Sequence, residues 1–242
     1  MFDVFKISFG EYKKIFSKKS VYITLGILFL FFLMGVDQMV KAKTNLPLEK
    51  SLLMINMMFF GVMQFIIMFR AAAILPEEFK FGTSAYIFTS TKSRTQILLS
   101  KILAFGLFGI TIGFTSAILI LYYMAAKNLP IYYSAFWVNT VFCFIYSWFI
   151  GNYFLFCSVI FKSTTVSFIT GLFFLYLLDD IFLQLANKIP VLDKFLDFVP
   201  FYGTLKFLTL ADVNFNKIMG LLIGGVVFFI LSAVIFEKQD LV

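Results

Sequence analysis

Between two long apolar runs lies one polar stretch, Leu75-Pro76-Glu77-Glu78-Phe79-Lys80-Phe81-Gly82-Thr83, which continues through Thr91, Lys92, Ser93 and Arg94 to Lys101. Its residue types suit recognition by charge: two adjacent carboxylates, a helix break, then spaced cations. Pro76 loses no hydrogen bond in a first helical turn, and Glu77 and Glu78 sit well against the positive end of the helix dipole, so a helix is expected to start there. Gly82-Thr83 then interrupts it. Bond-making chemistry has no comparable footing. The chain contains no His, which removes the commonest metal ligand and the usual proton shuttle near neutral pH. No G-x-x-x-x-G-K-[ST] phosphate loop occurs, so ATP is not expected on this chain by that mechanism. Cys143 and Cys157 fall 14 residues apart in one apolar run, about 21 Å along a helix and too far for a shared disulfide or metal. No catalytic residue and no metal site is expected.

The order acid-acid, Gly-Thr, a short apolar turn, Arg, and a Lys opening the next apolar run resembles the first cytoplasmic loop of the ABC type-2 permeases, the membrane subunits of many bacterial exporters. Glu77, Glu78, Gly82, Thr83, Arg94 and Lys101 fit that order, while Thr91 stands where the family usually has proline. The match is sharp from about Leu75 to Lys101 and extends to the whole chain by span layout. The resemblance implies that residues 76–101 form an ATPase-coupling loop and that two copies of a separate cytoplasmic ATPase bind ATP and Mg. It implies a second permease subunit, identical or related, and no cofactor on this chain. Among such permeases, those exporting amphipathic toxins or antimicrobial peptides are nearest in size and style, including phenol-soluble-modulin exporters and lantibiotic immunity systems. Export of such a peptide, or of a similar hydrophobic compound, is therefore the expected function. A structural or regulatory membrane subunit and an ABC-type ion extruder are the alternatives. Read without the resemblance, the same loop is a basic, solvated connection.

The elements that must position this loop follow from composition. With 61% hydrophobic residues, 36 Phe and only 14% charged residues, and a mean hydropathy of +0.96, the chain is far more apolar than a soluble domain. An all-α polytopic membrane protein is expected. The net charge of +7 then bears on which side each loop faces, because Lys and Arg near span ends set orientation. Binding of nucleic acid is not expected.

Helices able to cross a bilayer need ~20 apolar residues, and six such runs are placed near 21–40, 53–75, 102–125, 134–161, 164–186 and 216–236. Together they make a single transmembrane domain. With the first span starting inside, both termini are cytoplasmic, and the Lys and Arg residues divide twelve inside against eight outside. A bacterial plasma membrane is the expected location. Before the first span, Phe2, Phe5, Phe9, Tyr12 and Phe16 recur at helical spacing while Lys6, Lys13, Lys14 and Lys18 lie largely off that face. Residues 1–19 therefore read as an interfacial helix ahead of an uncleaved span. A short helix packed on another subunit is the other reading.

Inside the second span, Met54, Met57, Gly61, Gln64 and Met68 form a stripe expected to face protein or a cavity, with Phe59, Phe60 and Ile66 pointing elsewhere. A mid-membrane amide such as Gln64 is disfavoured against lipid. Met57, Gln64, Met68, Asn139 and Asn152 are thus translocation-pathway candidates or, equally, ordinary packing and cross-helix bonding. Arg70 is expected to snorkel to the inner surface. Gly109-x-x-x-Gly113 and Gly220-x-x-x-Gly224 read as close-approach patches. The outer segment 187–215 alternates charged, apolar and aromatic residues; it either covers the bundle as a surface loop or, as the resemblance implies, dips into the outer leaflet.

Overall fold

A computed structural model describes residues 2–17, 19–41, 47–80, 93–130, 133–210 and 214–238. Ten helices lie in these stretches, and no strand. They are α1 (Phe2–Ser17), α2 (Lys19–Lys41), α3 (Leu48–Ala73), α4 (Pro76–Lys80), α5 (Arg94–Ala126), α6 (Tyr133–Phe161), α7 (Thr164–Lys188), α8 (Pro190–Leu196), α9 (Thr204–Leu210) and α10 (Phe215–Lys238). Helix dominates because a chain this apolar must satisfy its backbone polar groups internally. Five of these helices (α3, α5, α6, α7 and α10) are long and apolar enough to cross a membrane, a layout compatible with a multi-pass membrane protein.

Helix α6 is the centre of the bundle. Its membrane-length stretch is 72% buried against 17% for α7, which lies at the periphery. Contact with α5 is closest where glycines remove side chains: a Cβ on Gly109 would come 2.5 Å from Ser147 Cβ, and one on Gly113 2.7 Å from Thr140 Cα. Backbones can approach this far only without a Cβ, so the α5 glycine pair acts as the sequence pattern predicts. The seam also carries buried amides. Asn139 Nδ2 donates to Asn56 Oδ1 of α3 and to Ser116 Oγ of α5, each at 3.1 Å.

The start of α5 is set by chemistry local to the sequence. Ser93 Oγ accepts from Gln96 N while Gln96 Oε1 accepts from Ser93 N, a reciprocal capping box. The helix therefore begins eight residues before the expected 102, and the polar part of the expected loop is partly helical. Lys101 lies two turns inside α5 rather than at its mouth.

At the opposite end of the bundle from α4, the segment expected to be amphipathic folds inward as α8, a turn and α9. Phe201 in the turn packs on Phe149, Tyr153 and Phe228, at ring distances of 5.7, 5.4 and 5.7 Å. Phe228 lies 13 residues into α10, ~20 Å from its start, so the turn reaches well below the helix ends. Gly224 admits Pro200, whose Cβ would stand 2.8 Å from an added Cβ, and Gly220 likewise admits Phe198. Among the described residues, then, the segment is two short helices and a turn whose Phe198, Pro200 and Phe201 pack on α6 and α10, while Val191 and Phe195 stay exposed.

Candidate functional site

The acid pair at 77–78 starts a five-residue helix, as Pro76 and the two carboxylates predict. Its anchoring was not predicted. Glu78 is 8% exposed and its carboxylate pairs with the ammonium of Lys101, itself 2% exposed. The same ammonium donates to Glu11 Oε2 at 3.0 Å, and Glu11 Oε1 accepts from Lys14 at 2.5 Å. Lys101 of α5 thus holds one carboxylate from α1 and one from α4. Burial works against the charged form of Glu11, but Lys101 and Lys14 outweigh it and keep its carboxyl below the ordinary 4.5.

Arg70 extends the cluster. Its Nη2 donates to Ile15 O at 2.7 Å, and its Nη1 lies 3.8 Å from Glu77 Oε1. A cation at the last carbonyls of α1 complements the negative end of that helix. The guanidinium reaches the end of α1, with 15% of the side chain exposed. Arg94 donates to the carbonyls of Phe236 and Glu237 at 3.0 and 3.2 Å, tying the start of α5 to the last turn of α10. Gly82, Thr83 and Thr91 lie outside the described residues.

Beneath α4, Leu75 packs in a small core with Leu98, Ile102, Leu155, Val159 and Phe236, with Phe79 against its edge. The Lys162 ammonium stands 5.8 Å from the centre of the Phe79 ring, a contact between α4 and the turn joining α6 and α7. The short helix is therefore seated on α5, α6 and α10 by apolar contact and on α3 and α5 by charge.

Interfacial character divides α1 into two faces. Phe5 and Phe9 are 59% and 53% exposed, and the Lys13 ammonium lies over the Phe9 ring at 5.0 Å. Tyr12, expected on the same face, turns to the bundle, where its hydroxyl and Thr111 Oγ1 are 2.8 Å apart. The side chain of Phe16 lies outside those described.

The Met stripe of α3 is not its buried face. Met57 is 49% exposed, whereas Phe59 and Phe60, expected to point away, are 0% and 1% exposed. Gln64 and Met68 are buried, Gln64 with an Oε1 that has no hydrogen-bond partner. Asn139 bonds across helices, and Asn152 donates to its own helix at Trp148 O, 2.7 Å away. The structure therefore does not bring the five pathway candidates together. Instead, a cavity of 380 Å³ opens between α2, α3 and α5, lined by Phe29, Phe59, Met63, Phe108, Thr111 and Thr115 among others. Glu11 was also missed. Its signal was an acid set among the lysines of the opening helix, where Asp3 is the other acid, and its partner on α5 lies 90 residues away.

No protein-family model matches the chain, and no curated protein matches it either.

Proposed function

We propose that this chain is the permease subunit of an ATP-driven exporter of the ABC type-2 kind, with α4 as the element on which a separate cytoplasmic ATPase docks. The observation that carries the reading is the placement of α4. A five-residue, acid-led helix sits between two spans at one end of the bundle, with Glu77 and Lys80 toward the surface and Glu78 rooted on Lys101. Such an element can receive a partner on one side and pass its displacement into the bundle on the other. In this reading α2 is the sixth span, α1 lies in the inner leaflet surface, both termini are cytoplasmic, and two permease subunits pair.

The cargo we propose is an amphipathic peptide or similar apolar compound, entering from the bilayer. The cavity between α2, α3 and α5 offers aromatic and aliphatic side chains and two threonine hydroxyls, and no formal charge. A highly charged cargo there would leave its charge uncompensated, at a cost of several kcal/mol.

The test is purification of the tagged chain from its native membrane, followed by identification of what accompanies it. A co-purifying ATPase lost in Glu77→Lys/Lys80→Glu, with the bundle still folded, is the expected result. A partner unaffected by that reversal would rule out α4 as the dock. Absence of any ATPase would favour the structural subunit. Topology is read by thiol labelling of Lys80→Cys and Lys188→Cys in a Cys-free background, both sites being exposed; only the second should react in intact cells.

A further inference from the structure

Lys101 is one cation shared between carboxylates on two different helices. Its ammonium contacts Glu11 of α1 and Glu78 of α4, both carboxylates being largely buried. Around them stand Lys14, paired with Glu11, and Arg70, which reaches Glu77 on α4 and the backbone of α1 at Ile15. The six side chains balance three positive charges against three negative ones. In a low-dielectric setting, charges removed from one another must be taken up elsewhere within the cluster. A buried ammonium that loses one of two carboxylates strengthens its bond to the other.

We propose that Lys101 is a toggle between α4 and α1: when α4 is drawn from its seat and Glu78 withdraws, Lys101 turns wholly to Glu11 and clamps α1 on α5; when α4 returns, the clamp relaxes. Displacement at the docking element thereby reaches a helix whose opposite face presents Phe5, Phe9 and Lys13 for the bilayer surface. It also reaches the cavity wall, because α1 hydrogen-bonds Thr111, one of the residues lining that cavity. That an ATPase supplies the pull rests on the proposed function above; the sharing of Lys101 does not.

Competition gives opposite signs in the two helices, which a merely structural cluster would not. Amide hydrogen exchange is measured on the full chain in lipid nanodiscs. In Glu78→Gln, exchange in α1 should slow by about threefold or more while α4 exchanges faster, a size within the coupling measured between neighbouring groups. Glu11→Gln should reverse the pattern, slowing α4 and speeding α1. Lys101→Met should speed both, and Lys101→Arg, which keeps the charge, should leave both close to wild type. Faster exchange in both helices of either single carboxamide variant, or a change confined to the substituted helix, overturns the toggle. If Glu78→Gln does not fold, Glu11→Gln makes the same test from the other side. Binding of a co-purified ATPase should slow α1 as Glu78→Gln does. A partner that binds at α4 and leaves α1 unchanged overturns the toggle, whereas opposite responses in the carboxamide variants with no partner found retain the toggle and sink the docking reading.

Discussion

The two ends of the bundle use buried charge in different ways. At the α4 end, side chains of opposite sign meet one another across α1, α3, α4 and α5. At the α8–α9 end, ions serve the backbone: Lys217 donates to the carbonyls of Val199, at 2.9 Å, and Tyr202, while Asp179 Oδ1 accepts from Gly203 N at 2.6 Å. The reason lies in the turn. Gly203 takes φ of 62°, a left-handed conformation that glycine adopts without steric cost, and backbone groups that leave the helical ladder there need other partners. A carbonyl cannot ionise or change partner by titration, so the α8–α9 end is a staple. The α4 end is a joint whose bonds can be redistributed.

The widest separation between the two is expected for Lys101→Met, which leaves two carboxylates facing each other without their shared cation. Loss of one partner in a buried ion pair costs about 3–5 kcal/mol, so this variant should show the lowest thermal midpoint in detergent. Lys217→Met removes a donor from two carbonyls and should cost about 1–3 kcal/mol. Its effect on exchange should be confined to α8, α9 and the start of α10. If the two variants together lose more than about 0.5 kcal/mol beyond the sum of each alone, the ends are coupled and the contrast fails. Arg94→Ala should cost about 1 kcal/mol, through the last carbonyls of α10, visible as faster exchange at residues 234–238. The smallest effect is that of pH. Because the folded-state carboxyl of Glu11 lies below 4.5, its contribution is fully present above that pH and fades as pH falls through the lower folded value. Protection of α1 should therefore be flat from pH 7 to about 5 and decline only below about 4.5. A decline centred near pH 6 would contradict the assignment.

Much of this architecture was legible in the chain because length and apolarity are local properties. The runs that became α3, α5, α6, α7 and α10, the start at Pro76, and the glycine seam at 109 and 113 could all be read from neighbours in sequence. Which face of a span is buried could not. In a bilayer, lipid and protein interior are both apolar, so a Met stripe and a Phe stripe carry the same hydropathy; α3 buries Phe59 and Phe60 and leaves Met57 outside. The joint was illegible for another reason. Lys101 stands 23 residues from Glu78 and 90 from Glu11, and only packing decides that one ammonium serves both. The partner of Arg70 was illegible for the same reason, since the Ile15 carbonyl that accepts from it lies 55 residues away.

The inward turn also constrains the order in which this protein can be made. Its anchors on one side, Lys217, Gly220 and Gly224, are all encoded after it. As the chain leaves the ribosome, residues 197–203 emerge before the helix that supplies their hydrogen bonds and their room. Until α10 enters, those carbonyls have water as their natural partner, and the Phe201 ring has no Phe228 to meet. Helix α10 is thus the bolt that closes this end of the assembly, and a ribosome stalled before residue 215 would release a bundle still open there.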